Sequence, residues 1–298
     1  MTTPRLHLAI GALAILAAVP GAARAAGLQH QLDIYLDDKE EPLRMPEGVA
    51  CTDKGDLVVA DTGNARLLRY TYKDGKLEGG GPIRLAEITH PTRLQLDSRG
   101  NLLVLDRRLR RIARVDVSGR FGGAVELKAS TTARVGVSAF KLDKEDRLYV
   151  LDVISRRTLV ASLDGAVARE IPWPPVPVEF VDLAVDGDRI LAIDAAASRL
   201  WGVEKDSKEF KPLGEGHKAQ LAFPAYLSQE GGILRVVDQN GHGITLLGTD
   251  GAYRGRELEM GWGDGRVYYP AQICSTGAGQ LFLADRNNNR VQIFSEAR

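Results

Sequence analysis

The chain has 298 residues, 44% of them apolar, with 39 Lys plus Arg against 39 Asp plus Glu. That length suits two ordinary domains or one large all-β domain, and the apolar share supplies a sizeable core. The balanced charge excludes a global electrostatic pull toward nucleic acid or an anionic membrane, so electrostatic recognition has to come from a local patch.

In chain order, residues 1–25 read first as a secretory signal peptide. Arg5 lies in a short basic start, an apolar run extends from Leu8 to Val19, Pro20 and Gly21 break it, and Ala23-Arg24-Ala25 supplies a small-x-small cleavage site. The apolar run is about twelve residues, short of the ~20 that span a bilayer. The mature chain is expected to be exported, periplasmic or secreted, with no membrane span after cleavage. Residues 26–45 form an N-terminal segment containing one strand candidate, HQLDIYLDD at 30–38.

From residue 46 to 298 one phrase recurs six times: VADTGNAR (59–66), VLDRRLRR (104–111), VLDVISRR (150–157), AIDAAASR (192–199), VVDQNGHG (236–243) and LADRNNNR (283–290). Its Asp residues, Asp61, Asp106, Asp152, Asp194, Asp238 and Asp285, are spaced by 45, 46, 42, 44 and 47. A period in the forties marks propellers and some helical repeats. The local pattern decides between them. Each unit has a short apolar run, a Gly/Asp turn, a β-rich run ending at the Asp, a polar turn and a further apolar run, with no sustained helical period. Four short strands per unit make a propeller blade. The predicted fold is therefore all-β, a six-bladed β-propeller of four-stranded blades over 46–298. The sixth unit stops after its third strand, so the 30–38 candidate is expected to complete and close it.

Pro46-Glu47-Gly48-Val49-Ala50 followed by LVVADTGNARLLRY, and Tyr269-Pro270-Ala271 followed by LFLADRNNNRVQIF, resemble the NHL repeat family. Units one and six match closely and units two to five are degenerate: Ala195-Ala196-Ala197 replaces the polar turn of unit four, and Gly243 stands where unit five should have its Arg. The resemblance implies the propeller fold. It also brings in relatives with metal sites in the central channel, the peptide-amidating lyases and gluconolactonase-like hydrolases, and others that bind RNA on a basic face.

The repeated Asp and the Arg five positions later meet across a turn between two strands. They read as structural Asp–Arg braces: Asp61 with Arg66, Asp106 with Arg111, Asp152 with Arg157, Asp194 with Arg199 and Asp285 with Arg290, Asp238 lacking its Arg. Six catalytic carboxylates are the competing reading. A channel metal would need His, Asp, Glu or Asn converging from the innermost strands. The runs GVAC, RLQL, AFKL, DLAV, AYLS and AQIC are mostly apolar, and His90, His217 and His242 offer only a weak loop set. No GxSxG, HExxH, P-loop or EF-hand spacing occurs. No catalytic residue, metal or cofactor is therefore assigned.

The remaining signal is one face of the disc. Its turns carry Arg107, Arg108, Arg110, Arg156 and Arg286 beyond those spent on braces, beside Trp173, Trp262, Tyr268 and Tyr269. Arginine with exposed Trp and Tyr is the composition of binding hot spots, while solvated turns and gap-filling aromatics are the bland alternative. The expected function is an exported, monomeric, non-catalytic scaffold binding a protein, peptide or anionic partner of the cell envelope, with no role in nucleic-acid binding. The alternative is an envelope enzyme, a metal-dependent lyase or lactone hydrolase with a divergent central site. Cys51 and Cys274, the two cysteines, fall on innermost strands of blades one and six. Aligned on their repeats they have opposite parity, so the thiols either face each other across the junction or both face away.

Overall fold

Runs such as Leu57-Val58-Val59-Ala60 lack the polar–apolar alternation of a sheet with one wet face. The computed structural model, which describes residues 27–130 and 134–296, shows the cause. The second strands of the six blades, Asp56–Asp61, Leu102–Asp106, Leu148–Asp152, Arg189–Asp194, Ile233–Asp238 and Gln280–Asp285, are buried along most of their length. Each blade is sandwiched between two others, so both faces of its middle strands are dry. The signal peptide assigned to 1–25 lies outside the described residues.

The chain forms six four-stranded antiparallel sheets arranged as a propeller. The innermost strands are Gly48–Cys51, Pro91–Leu96, Val137–Leu142, Phe180–Asp186, Pro224–Glu230 and Pro270–Ser275. The core is divided into six apolar seams, one between each pair of neighbouring blades. The seam between blades three and four is the aromatic one: Phe180 meets Trp173, Trp201 and Phe210 at ring separations of 5.1, 6.2 and 5.0 Å.

Blade six is closed by the N-terminal segment. Leu28–Ile34 pairs antiparallel with Arg290–Glu296, placing Leu28 opposite Glu296 and Ile34 opposite Val291. The strand is shifted from the expected 30–38 stretch. It ends at Ile34 because the Asp37 carboxylate turns the chain, accepting the backbone N–H groups of Lys39 and Glu41, both at 2.8 Å. The ring is joined a second time by a disulfide between Cys51 and Cys274, whose Cα atoms are 5.9 Å apart. Of the two arrangements that strand alternation permits, the thiols take the facing one.

Five innermost strands shift register against their second strands near their starts, between Pro91 and Arg93, Val137 and Ala139, Phe180 and Asp182, Pro224 and Tyr226, and Pro270 and Ile273. A bulge inserts one residue and re-aims the side chains that follow. These bulges set which residues face the central channel. Among the described residues no helix is long and apolar enough to cross a membrane.

Candidate functional site at the channel mouth

The repeated Asp builds one face of the disc. All six carboxylates are at most 1% exposed. Each accepts a backbone N–H from the segment leading into the innermost strand of its own blade: Asp61 from Arg44 (2.7 Å), Asp106 from Thr89 (2.7 Å), Asp152 from Gly136 (2.9 Å), Asp194 from Glu179 (2.8 Å), Asp238 from Phe223 (2.8 Å) and Asp285 from Tyr268 (2.7 Å). The turn and the incoming loop are thus locked together, and both present their side chains on the same face. Burial raises the Asp106 carboxyl, but N–H donors from Leu109, Thr89 and His90 outweigh it and hold the group below the usual range. At Asp285 burial prevails and the pKa is raised despite donors from Tyr268, Arg290 and Asn288.

The Arg half of the brace is less regular than expected. Arg66, Arg157 and Arg290 reach Asp61, Asp152 and Asp285 at 2.6, 3.0 and 2.9 Å. Each also reaches a second carboxylate nearer the rim: Asp37 at 2.6 Å, Glu170 at 2.6 Å and Asp33 at 2.8 Å. The expected pairs Asp106–Arg111 and Asp194–Arg199 do not form. Arg111 donates to Glu87 O and Arg199 to Gly214 O, in blades where those carbonyls stand in for a second carboxylate. In blade five, where Gly243 replaces the Arg, Arg256 from the outer strand supplies the cation to Asp238 at 3.2 Å.

The channel is plugged by polar side chains that the reading of its strands as mostly apolar missed. Lys141 Nζ lies 3.1 Å from Asp182 and 3.2 Å from the Tyr226 ring centroid. Gln272 donates to Leu94 O at 2.9 Å and accepts from Leu94 N at 3.1 Å, capping the free inner edge of a strand two blades away. Asp182 likewise accepts Leu227 N at 2.7 Å. Arg93 donates to the carbonyls of Ala225 and Ala271 at 2.6 and 3.2 Å. The signal was visible: RLQL, AFKL, DLAV, AYLS and AQIC each carry one of Arg93, Lys141, Asp182, Tyr226 and Gln272.

On the Asp-braced face the channel opens into a cavity of about 440 Å³ lined by Arg93, Arg107, Arg110, Arg156, Glu47 and Glu179, with an apolar wall that includes Trp173, Phe180 and Phe223. Glu47 is already paired with Arg286 at 3.0 Å and Arg107 at 3.5 Å. Arg156 donates only to the carbonyls of Val178 and Val176 and lies over the Trp173 ring at 5.5 Å. The predicted binding residues therefore divide. Arg107, Arg110 and Arg156 converge on the cavity, Arg286 anchors Glu47 beside it, and Arg108 is exposed without lining it. Trp173 is 8% exposed and its indole N–H donates to Thr158, so it is chiefly a seam residue.

Trp262, Tyr268 and Tyr269 form a second group with His242, between blades five and six. Trp262 is 70% exposed and sits 5.9 Å from Tyr268, which stacks on His242 at 5.1 Å. Burial lowers the His242 pKa, and its Nδ1 accepts the Tyr269 N–H at 3.1 Å, a role that requires that nitrogen to be unprotonated. The shelf is tied to the cavity rim through two bonds: Asn287 donates its N–H to Tyr268 O at 3.1 Å, and its neighbour Arg286 holds Glu47, which lines the cavity. The three loop histidines do not gather into an ion-binding set: His217 bonds Gly251 O at 2.7 Å, and His242 bonds the Tyr269 N–H. Among the described residues, the one set of His, Cys, Asp or Glu side chains close enough to share an ion is His30, Asp33 and Asp264, at the outer edge of blade six.

Comparison with known proteins supports the same architecture. The family pattern described as NHL repeat matches residues 43–70 and 267–294. No curated protein gives a significant match. Among solved structures, the chain is similar to virginiamycin B lyase from Staphylococcus aureus, at 12% identity and a TM-score of 0.65 over 89% of this chain and 98% of that one. It is similar to a gluconolactonase from Xanthomonas campestris at 13% identity and 0.66 over 93% of each. A chain of a nidogen–laminin complex follows at 14% identity and 0.54 over 75% of this chain and 88% of that one. At these identities the likeness shows the fold alone.

Proposed function

We propose that this propeller is an exported, non-catalytic scaffold that binds an anionic protein or peptide partner of the cell envelope at the arginine-lined channel mouth. One observation carries the reading. Four guanidinium groups and only two carboxylates line a single cavity, and one of those carboxylates, Glu47, is already neutralised by Arg286 and Arg107. Among the described residues Arg93, Arg110 and Arg156 have no carboxylate within 4 Å, and guanidinium groups of this kind beside apolar walls attract and orient carboxylate or phosphate groups. Affinity capture from envelope extract with the parent and with Arg107→Ala/Arg110→Ala/Arg156→Ala tests it. Partners retained by the parent should be lost from the triple variant and released by salt. Equal retention by both overturns the reading.

One observation favours a second reading, an envelope enzyme with chemistry like that of the lyase and gluconolactonase neighbours: a Lys141–Asp182 ion pair is buried in the channel, and its Asp182 Oδ1 has no hydrogen-bond partner among the described residues. Its metal-dependent form fits poorly. The one carboxylate at the plug, Asp182, is already faced by Lys141 at 3.1 Å, with Arg93 a second cation nearby. Such a donor set repels a divalent ion. Stoichiometric metal in the purified protein, together with lactone or streptogramin turnover, would establish the enzyme instead.

A further inference from the structure

Four arginines are buried among the described residues: Arg66, Arg93, Arg157 and Arg290. Three of them carry two or more carboxylates within 4 Å. Arg93 carries none. Its guanidinium donates only to the carbonyls of Glu47, Ala225 and Ala271. It is 8% exposed, and its remaining exposure opens on the 440 Å³ cavity. The neighbouring channel carboxylate, Asp182, is already engaged by Lys141. A buried cation without a counterion is costly, and burial accordingly lowers the Arg93 pKa. The cost is offset when an anion arrives from the open side.

Two further features define that anion. The wall beside Arg93 is apolar, formed by Val137, Val178, Phe180 and Phe223, so the head group has to carry an apolar body. The innermost strands pair on one side only, leaving their inner edges toward the channel, and residues 137–138, 180–181 and 224–225 at the starts of three of them line the cavity. Much of the backbone there is already engaged, the Phe223 N–H on Asp238, the Glu179 N–H on Asp194 and Ala225 O on Arg93, so an end group and an apolar side chain, rather than an added strand, carry the recognition. We propose, building on the binding reading above, that the cavity seats the C-terminal end of a peptide chain. Its α-carboxylate rests on Arg93, its last apolar side chain lies against Phe180 and Phe223, and Arg107, Arg110 and Arg156 hold the rim. A cavity of this volume lies within the ordinary ligand-pocket range of roughly 300–1,000 Å³ and takes a chain end rather than a whole domain.

A randomised pentapeptide pool, made once with a free C-terminal carboxylate and once as the C-terminal amide, is passed over the immobilised full chain. The free-acid pool should be retained at least about tenfold better than the amide pool, with apolar residues enriched at the last position. Arg93→Met should remove that preference. Because Arg93 also ties strands together, Phe223→Glu serves as a second variant: it places a carboxylate at a partly exposed position in the cavity and should abolish retention while leaving the melting temperature unchanged. Equal retention of the two pools overturns the seat. So does competition by hexanoate as strong as that by the peptides, which would make the ligand a free amphiphilic acid. If the pools behave alike while the rim triple variant still loses its envelope partner, the seat fails and the binding face stands. If the rim variant also loses nothing, both fail.

Discussion

Asp285 accepts the backbone N–H of Tyr268 at 2.7 Å, and this single bond fixes the loop that carries the aromatic shelf to the turn that carries Arg286. The same bond recurs in all six blades, while the Arg partner does not. The Asp is the constant of the repeat because it satisfies backbone donors, and the Arg is an addition made where a second carboxylate stands within reach.

Asp106→Ala should therefore destabilise by about 2–4 kcal/mol, since it takes a fully buried carboxylate from the part-buried N–H groups of Thr89, His90 and Leu109, which lose their acceptor together. Arg199→Ala, which loses only bonds from an exposed guanidinium to Gly214 O, should cost under about 1 kcal/mol. Urea unfolding of the two variants measures the difference. Equal losses would return the Arg to an equal share of the brace.

The Asp106 carboxyl sits below its ordinary value, so its contribution is present above the unfolded carboxylate range near 4 and fades as pH falls through the folded value. The gap in melting temperature between the parent and Asp106→Asn should be widest near neutrality and should narrow below about pH 4. A gap that widens on acidification contradicts the assigned direction.

Cys51 and Cys274 are separated by 223 residues, so their bridge closes nearly the whole ring. On the loop-entropy model it stabilises by up to about 5 kcal/mol. Thiol titration of the unfolded, unreduced protein should find none reactive, and Cys51→Ser/Cys274→Ser should lower the melting temperature. Two reactive thiols before reduction would contradict the bridge.

Removing residues 28–38 strips the outer strand from blade six and takes away Asp33 and Asp37, the second carboxylates of Arg290 and Arg66. An exposed sheet edge and two buried guanidinium groups short of partners should give aggregation or a large fall in melting temperature. A deletion variant that melts like the parent rules out closure by this segment.

The aromatic residues on the face separate by the same logic. Trp262→Ala should weaken capture of the partner without moving the melting temperature, because the side chain is 70% exposed. Trp173→Ala should cost about 3–5 kcal/mol, as it empties the seam around Phe180. The reverse pattern would make Trp262 a structural residue.

The sequence alone determined the ring. A period near 45, an Asp closing each second strand, and a last unit one strand short specify six blades and a borrowed N-terminal strand, because these features are local or count-based. It also placed Arg107, Arg110 and Arg156 on one face, since every second-to-third turn points the same way. Tertiary structure decided which residues line the channel. The bulges at the starts of five innermost strands reset the in–out alternation, so Arg93, Asp182 and Tyr226 turn inward where parity could not foretell it. It likewise decided that Arg111 and Arg199 turn from the Asp opposite each of them to the carbonyls of Glu87 and Gly214, which lie outside the repeated phrase. The facing of Cys51 and Cys274 had the same origin: alternation left two arrangements, and the packing of blade one against blade six chose between them.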